Sequence, residues 1–249
     1  MGELKNTTFV CLDCETTGLE PKTDRIIEIA AATFTFSDTL DLFETLVDPQ
    51  CPIPESSIAI HHITPDMLEG KPKIHEVLPL LFTFVDNYIF VGHGIELDLA
   101  FIRAESKRHQ IPCPLERTSS IDTLRLARLY GESPTNSLER LRQHFNIEPE
   151  GAHRAMSDVT VNISVFKYLA QNFKTTEQIF ERLKKPILLK TMPLGKYKGR
   201  PFNEIPQEYL EWAIRGDFDM DLRYSIHTEL QKRRKGTQFS QASNPFANL

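Results

Sequence analysis

The chain has 249 residues, with 34 Asp and Glu against 29 Lys and Arg and a net charge of -5. Hydrophobic residues make up 40% and charged residues 25%, globular proportions that exclude a collagen, a coiled-coil rod and a mostly disordered chain. No apolar run approaches the roughly 18 residues of a membrane span, no charged and then apolar leader is present, and four cysteines do not make a disulfide framework, so the expectation is a soluble, cytoplasmic protein with no membrane partner.

Phe9 to Leu12, ending in Asp13, is a short apolar run that predicts a central strand buried on both faces. A loop with Gly18 and Pro21 follows. Ile26 to Phe36 and Leu40 to Val47 predict two further strands around the turn Ser37-Asp38-Thr39, and Pro49, Pro52 and Pro54 mark a loop. Thr64 is placed to cap a short helix with Pro65 at its first position. Ile74 to Val85 predicts a helix, Tyr88 to Val91 a fourth strand, Glu96 to His109 a helix, and Ser119 to Ile121 a short strand. Leu124 to Tyr130 and Ser137 to Phe145 predict helices. Arg154 to Asn172 predicts a long one with Val159, Ile163, Phe166 and Ala170 at helical spacing. Three strands followed by alternating helices and strands give an α/β class with a mixed sheet.

The expected division is a domain over 1–174, a connector helix over 175–186, a small basic α-rich module over 187–235 and a disordered tail over 236–249. Tyr209, Leu210, Trp212 and Ile214 are expected to form the module's core. Charge supports the division. From Arg182 to Arg200 there are seven Lys and Arg and no acid, and Lys232 to Lys235 adds four bases. The remainder holds 34 acids against 18 bases. An acidic body with a basic C-terminal region fits an enzyme that gathers carboxylates for metals and holds a polyanion elsewhere, and fits equally a solvated basic linker.

Asp13 and Glu15 stand two apart at the strand end, on one face if the strand continues that far. Side-by-side carboxylates repel unless a cation sits between them, and hard divalent cations take that oxygen ligation. A lone D-x-E fits two solvated turn carboxylates as well. Asp98 lies on the apolar side of its helix with Phe101 and Ile102, where a carboxylate needs a partner; a helix N-terminal Asp favoured by the macrodipole is the other reading. Asp158 shares a stripe with Asn162, Val165 and Leu169. His153 precedes it by five residues, about 500° around a helix, so His153 belongs on the loop before the helix. Cys11 and Cys14 point to opposite faces of a strand and cannot chelate one ion.

Together these segments carry a resemblance. Phe9 to Gly18 (FVCLDCETTG), His93 to Phe101 (HGIELDLAF) and His153 to Asp158 (HRAMSD) resemble the three motifs of the DEDDh 3′→5′ exonucleases, a family that includes the epsilon proofreading subunit of bacterial DNA polymerase III. Ala59 to Thr64 is similar to its A-x-x-H-x-I-T segment. The resemblance spans about residues 7 to 172, and Met192 to Leu230, with the turn Gly195 to Gly199, is similar to a C-terminal segment of one member. Gly94 departs from the pattern, since the family has Asn there to position the terminal nucleotide.

The resemblance implies a ribonuclease-H-like fold with a five-stranded mixed sheet, the second strand antiparallel. It implies two Mg2+ or Mn2+ ions held by Asp13, Glu15, Asp98 and Asp158, with neutral His153 accepting a proton from the attacking water. Thr16, Thr17, Gly18, Leu19 and His61 fall where the family contacts the terminal nucleotide. The implied product is a 5′-mononucleotide from the 3′ end of DNA, in proofreading or repair. An exoribonuclease and a non-catalytic adaptor are the alternatives; the adaptor needs broken ligands, and all four carboxylates and His153 are present. Lys196, Lys198 and Arg200 alternate around Tyr197, which in an extended segment puts three cations on one side as a phosphate track; a tight turn packing Tyr197 against Trp212 is the other reading. Gln241-Ala-Ser-Asn-Pro-Phe246 is similar to sliding-clamp peptides apart from Asn244, which leaves a clamp or polymerase contact as a further expectation.

Overall fold

A computed structural model describes residues 3–133, 135–148, 154–216 and 218–242. Five strands form one sheet: β1 (Phe9–Thr16), β2 (Ile26–Phe34), β3 (Thr39–Leu46), β4 (Ile89–Gly92) and β5 (Ser120–Asp122). Their order is β3-β2-β1-β4-β5. β2 runs antiparallel to β1 and β3, and β4 runs parallel to β1 and β5. This is the expected five-stranded mixed sheet with β1 at its centre. All nine residues of β2 are buried, because both faces of the sheet are covered. β3 is the exposed edge, and Asp41 and Glu44 place charges along it, a device that discourages pairing with another chain.

The helices are α1 (Glu55–His61), α2 (Pro65–Leu68), α3 (Ile74–Val85), α4 (Glu96–Arg108), α5 (Thr123–Tyr130), α6 (Leu138–His144), α7 (Ala155–Ala170), α8 (Thr176–Leu183), α9 (Gln207–Ala213) and α10 (Met220–Ala242). Helix α1 was not expected. Its start follows Pro54, which reads as loop punctuation, and of its residues only His61 is buried, so no apolar stripe announces it. None of the described helices is long and apolar enough to cross a membrane.

Period-2 alternation along β1 divides the core. Val10 and Leu12 join Leu78, Leu81, Leu99 and Ile102 of α3 and α4. Phe9 and Cys11 face α7: the Phe9 and Phe166 ring centroids lie 5.1 Å apart, and Phe34 and Phe36 pack on the same Phe166 ring at 5.9 and 5.7 Å.

The chain divides into two compact units, residues 1–182 and 183–249. The second has its own core of Met192, Phe202, Ile205, Leu210, Ala213, Leu222, Ile226 and Leu230. Trp212 does not join it and is 63% exposed. Leu210 and Ala213 take the inward side of α9, which leaves Trp212 on the outward side. Lys196, Lys198 and Arg200 do not form an extended ribbon. Gly195 and Gly199 take φ of +72° and +83° and close a turn that returns Arg200 O to Met192 N at 2.9 Å. Helix α10 continues to Ala242, past Gly236, where the sequence suggests a disordered tail; a single Gly costs a formed helix only about 1 kcal/mol. The clamp-like segment from residue 243 onward lies outside the described residues.

Phe166→Ala should cost the first unit about 3–5 kcal/mol, since three aromatic rings lose one partner. Urea unfolding followed by circular dichroism measures this. Fluorescence of Trp212, the chain's one tryptophan, reports the second unit and should keep its midpoint.

Candidate active site

The site forms at the C-terminal end of β1, and the register between β1 and α7 builds it. Phe9 meets Phe166, and Cys11 meets Asn162, whose Nδ2 lies 3.5 Å from its sulfur. Two residues further along the strand and four back along the helix, Asp13 meets Asp158. Two strand residues advance about 6.6 Å and four helix residues about 6 Å, so strand and helix stay in step. Glu15 continues the same strand face. Ligand atoms of Asp13, Glu15 and Asp158 all lie within 4.8 Å of one another, on half-buried side chains.

Asp98 approaches from α4 and is not one of that triad. β1 outruns β4, whose pairing ends at Cys11–Val91, and the bare strand edge beyond it is used: Cys14 N–H donates to Asp98 Oδ1 at 3.0 Å. Asp98 is nonetheless the strongest charged neighbour of Asp13.

Burial and mutual repulsion push these carboxyls up together. Asp13 rises well above its ordinary value through burial first and then through Asp98, Asp158 and Glu15. Burial, then Asp158 and Glu28, lift Glu15 to about 8. Burial lifts Asp98 to about 7 against the pull of the Cys14 hydrogen bond. An all-oxygen cluster that resists its own ionisation fits a hard divalent cation, which would let every carboxylate stay charged.

The N-terminus of α7 is pinned from β2. Glu28 is fully buried; both its oxygens accept from Arg154 Nε, at 3.0 and 3.2 Å, and Oε2 also accepts from Ala155 N–H at 3.1 Å. This pair was legible only as an acid inside the apolar run Arg25 to Ile29. His153 itself lies outside the described residues.

The Thr16 to Leu19 segment turns away beside the carboxylates. Thr16 Oγ1 donates to Gly18 O at 2.6 Å, and Thr17 exchanges two hydrogen bonds with Arg25: its N–H donates to Arg25 O, and its hydroxyl accepts from Arg25 N–H. A Cβ at Gly18 would collide with the Asp24 carboxylate. Leu19 is left 80% exposed. Ser57 of α1 donates to Thr17 O at 2.8 Å. His61, on the same helix, is buried. Its Nδ1 accepts from Ile63 N–H at 3.0 Å, so the proton sits on Nε2, and that N–H has no partner. Burial depresses the pKa of His61, so the ring presents a neutral donor. A buried orphan donor is costly, and a ligand acceptor would satisfy it.

A polar chain supports the far side. His93 Nε2–H donates to Asn136 O at 2.8 Å, its Nδ1 lies 3.1 Å from Thr123 Oγ1, and Thr123 Oγ1 lies 2.6 Å from Asn162 Oδ1. Burial depresses His93 to about 4. Asp122 caps α5 by accepting from Leu124 N–H and also accepts from Gly94 N–H, at 2.8 and 2.9 Å. Gly94 has φ +77° with open space where a side chain would stand. Spacing places Asn162 on the Asp158 stripe, whereas Asp122, at the end of β5, and Thr123, the first residue of α5, escape the sequence reading because a single small polar residue at an element boundary carries no spacing signal.

The exonuclease family model RNase_T matches residues 10–166. A second family model, a putative quorum-sensing-regulated virulence factor, matches residues 181–221. The chain is 38% identical over 170 residues to the DNA polymerase III PolC-type of Thermotoga petrophila, which covers 68% of the chain but only 12% of that much longer polymerase. It is 36% identical over 164 residues to the DNA polymerase III subunit epsilon of Aquifex aeolicus, covering 66% of the chain and 80% of the subunit. The structure of Exonuclease X in complex with 5′ overhanging duplex DNA superposes with a TM-score of 0.55 at 26% identity, over 70% of this chain and 98% of that one.

Acids with raised folded-state pKa values contribute stability at low pH that is lost as pH rises through those values. For Glu15 and Asp98 that loss runs up to about 8 and about 7. His93, depressed to about 4, acts in the opposite sense, destabilising the fold as pH falls below the ordinary histidine range near 6.5, and contributes no slope above it. In chelator, the melting temperature should therefore fall between pH 6.5 and 8. Added Mg2+ should restore it more at pH 8 than at pH 6.5, and Asp13→Asn should shrink both effects. Thermal melts at the two pH values measure this.

Proposed function

Because the chain belongs to the DEDDh exonuclease family, we propose that it is a metal-dependent 3′→5′ exonuclease that releases 5′-mononucleotides from DNA ends. The observation that carries this reading is the convergence of Asp13, Glu15 and Asp158 within 4.8 Å at the end of the central strand. Asp13, Glu15, Asp98 and Asp158 would hold two divalent cations, Mg2+ or Mn2+. When bound, such ions stabilise both the attacking and the leaving oxygen of an in-line displacement at phosphorus.

The remaining work falls to the chain's own groups. His153, in the His-Arg-Ala segment ahead of α7, accepts the proton of the attacking water, a role that requires the neutral ring. The Glu28–Arg154 pair fixes the start of α7. His61 Nε2–H, buried and unpartnered, donates to the terminal nucleotide. Thr16, Thr17 and Gly18 shape the adjoining wall, and exposed Leu19 lies where it can wedge against the last base. The Gly94 backbone leaves the terminal sugar without the side-chain contact that the family's Asn supplies. Lys196, Lys198 and Arg200, gathered on the closed turn of the second unit, offer counter-charge to phosphates. DNA rather than RNA is favoured by the two curated relatives, both DNA polymerase III proteins, and by the Exonuclease X complex with DNA.

Matched 3′-labelled DNA and RNA oligonucleotides, digested with Mg2+ or Mn2+, test the proposal. Release of mononucleotides from DNA is expected, and faster trimming of RNA would replace the reading with an exoribonuclease. Asp13→Asn should lose activity at saturating metal while staying folded; retained activity would sink the assignment.

His153→Ala should lower kcat by about 10²–10⁴-fold and leave metal affinity within a factor of a few. A parallel loss of metal affinity, read by calorimetry, would make His153 a ligand instead.

A further inference from the structure

The second unit carries an aromatic row of Tyr197, Tyr209 and Trp212, of which the two tyrosines pack partly buried against its core and Trp212 stands exposed. The chain enters it with Ile187 N–H donating to buried Asp221 Oδ1 at 2.9 Å and Leu189 N–H to Ser225 Oγ at 2.8 Å, which lays the strand-like lead on α10. The closed turn from Met192 to Arg200 then stands against α9. Tyr209 fills the space at Gly195, where a Cβ would lie 2.8 Å from its hydroxyl. The rings of Tyr197 and Tyr209 meet edge to face at 4.7 Å, and Tyr209 meets Trp212, three residues on along α9, at 5.3 Å. Lys196 and Arg200 both lie over the Tyr197 ring, at 5.6 and 6.0 Å.

The row is open at one end and charged at the other. Trp212 is 63% exposed, and Lys196, Lys198 and Arg200 are exposed too. An indole left in water forfeits the burial that the neighbouring Leu210 and Ala213 obtain and keeps its ring open to a partner. Arg215 follows Trp212 by three residues and is exposed. The nearby Glu211 is engaged by Gln207 at 2.8 Å. From Leu183 onward the chain holds twelve Lys and Arg against seven Asp and Glu, opposite in sign to the first unit. A flat, exposed π-face bordered by cations is complementary to one kind of polymer: an unpaired strand, with bases that can stack and phosphates that need counter-charge.

We infer that Trp212, supported by Tyr209 and Tyr197 and flanked by Lys196, Lys198 and Arg200, is a stacking platform for single-stranded DNA. The ligand class rests on the nuclease reading above; the site does not, since it stands in the other unit. The platform takes bases without discrimination, because every base has a π-face. It holds the strand while the first unit works on an end, which raises the effective concentration of that end.

Trp212 is the chain's one tryptophan, so its fluorescence reads the site directly. The full-length Asp13→Asn protein in chelator is titrated with a dT oligonucleotide of about 15 nucleotides, within the span of single-strand sites. Saturable quenching is expected, weakening steeply with salt. Neutralising Lys196, Lys198 and Arg200 to Gln should lower the salt slope by about 2, at roughly 0.7 per single-strand phosphate. Trp212→Ala should weaken binding about tenfold by labelled-oligonucleotide anisotropy with the slope unchanged, and Trp212→Phe should recover most of it. Binding by anisotropy with unmoved fluorescence would overturn the inference, as would equal quenching by a blunt hairpin, whose bases are already stacked. The wild-type digestion assay is scored separately. Quenching without nuclease activity keeps the platform and defeats the nuclease reading; nuclease activity without quenching does the reverse.

Discussion

The mutual repulsion of carboxylates at the end of β1 is the constraint around which the first unit is arranged. Asp13, Glu15 and Asp158 share one small volume, and Asp98 presses on Asp13 from the neighbouring helix. A protein gains no stability from such a cluster, and a bound cation would offset its cost. The surrounding fold is rigid where it meets this strain. β1 is the middle strand, paired on both edges as far as Cys11 and with β2 alone beyond it, and its apolar half is buried against helices on both faces. The carboxylates therefore cannot separate by moving the strand.

Two further devices keep the cluster in place. Glu28 spends its whole buried carboxylate on Arg154 and the Ala155 N–H, so the first turn of α7 is fixed to β2 rather than capped by its own residues. The chain His93–Thr123–Asn162 ties β4, α5 and α7 together just beneath Asp158. Burying a polar chain is worthwhile when every member is satisfied, since it then specifies one arrangement. Both devices act on α7, the element whose slip by a single residue would turn Asp158 about 100° away from the strand.

The two units differ in the sign of their charge. The first must be acidic at its centre, which repels the polyanion it acts upon. The second carries a net excess of cations and an exposed tryptophan, Trp212, and its small core is complete without that residue. With the proposed platform in the second unit, catalysis and grip would each keep the electrostatics they need.

Much of this was legible in the chain itself. The strand positions, most helix positions and the mixed α/β class follow from periodicity and residue types, because a period of 2 or 3.6 is a local property, and the three motifs were legible through their resemblance to the DEDDh exonucleases. Asp13 and Glu15 could be put on one face by counting alone. What counting could not decide was distance between elements. That Asp158 meets Asp13 depends on α7 running antiparallel to β1 in step with it. That Asp98 binds a backbone N–H depends on β4 being shorter than β1. Glu28 could be placed on a strand, and as a supporting residue of the site, but its partner Arg154 lies 126 residues away and only the fold brings the two together. In the second unit, sequence placed Trp212 in a core because large apolar residues are usually buried. Only the packing of α9, with Leu210 and Ala213 turned inward, left it facing solvent: one helix face has room for one set of neighbours, and the tertiary contacts chose the smaller side chains.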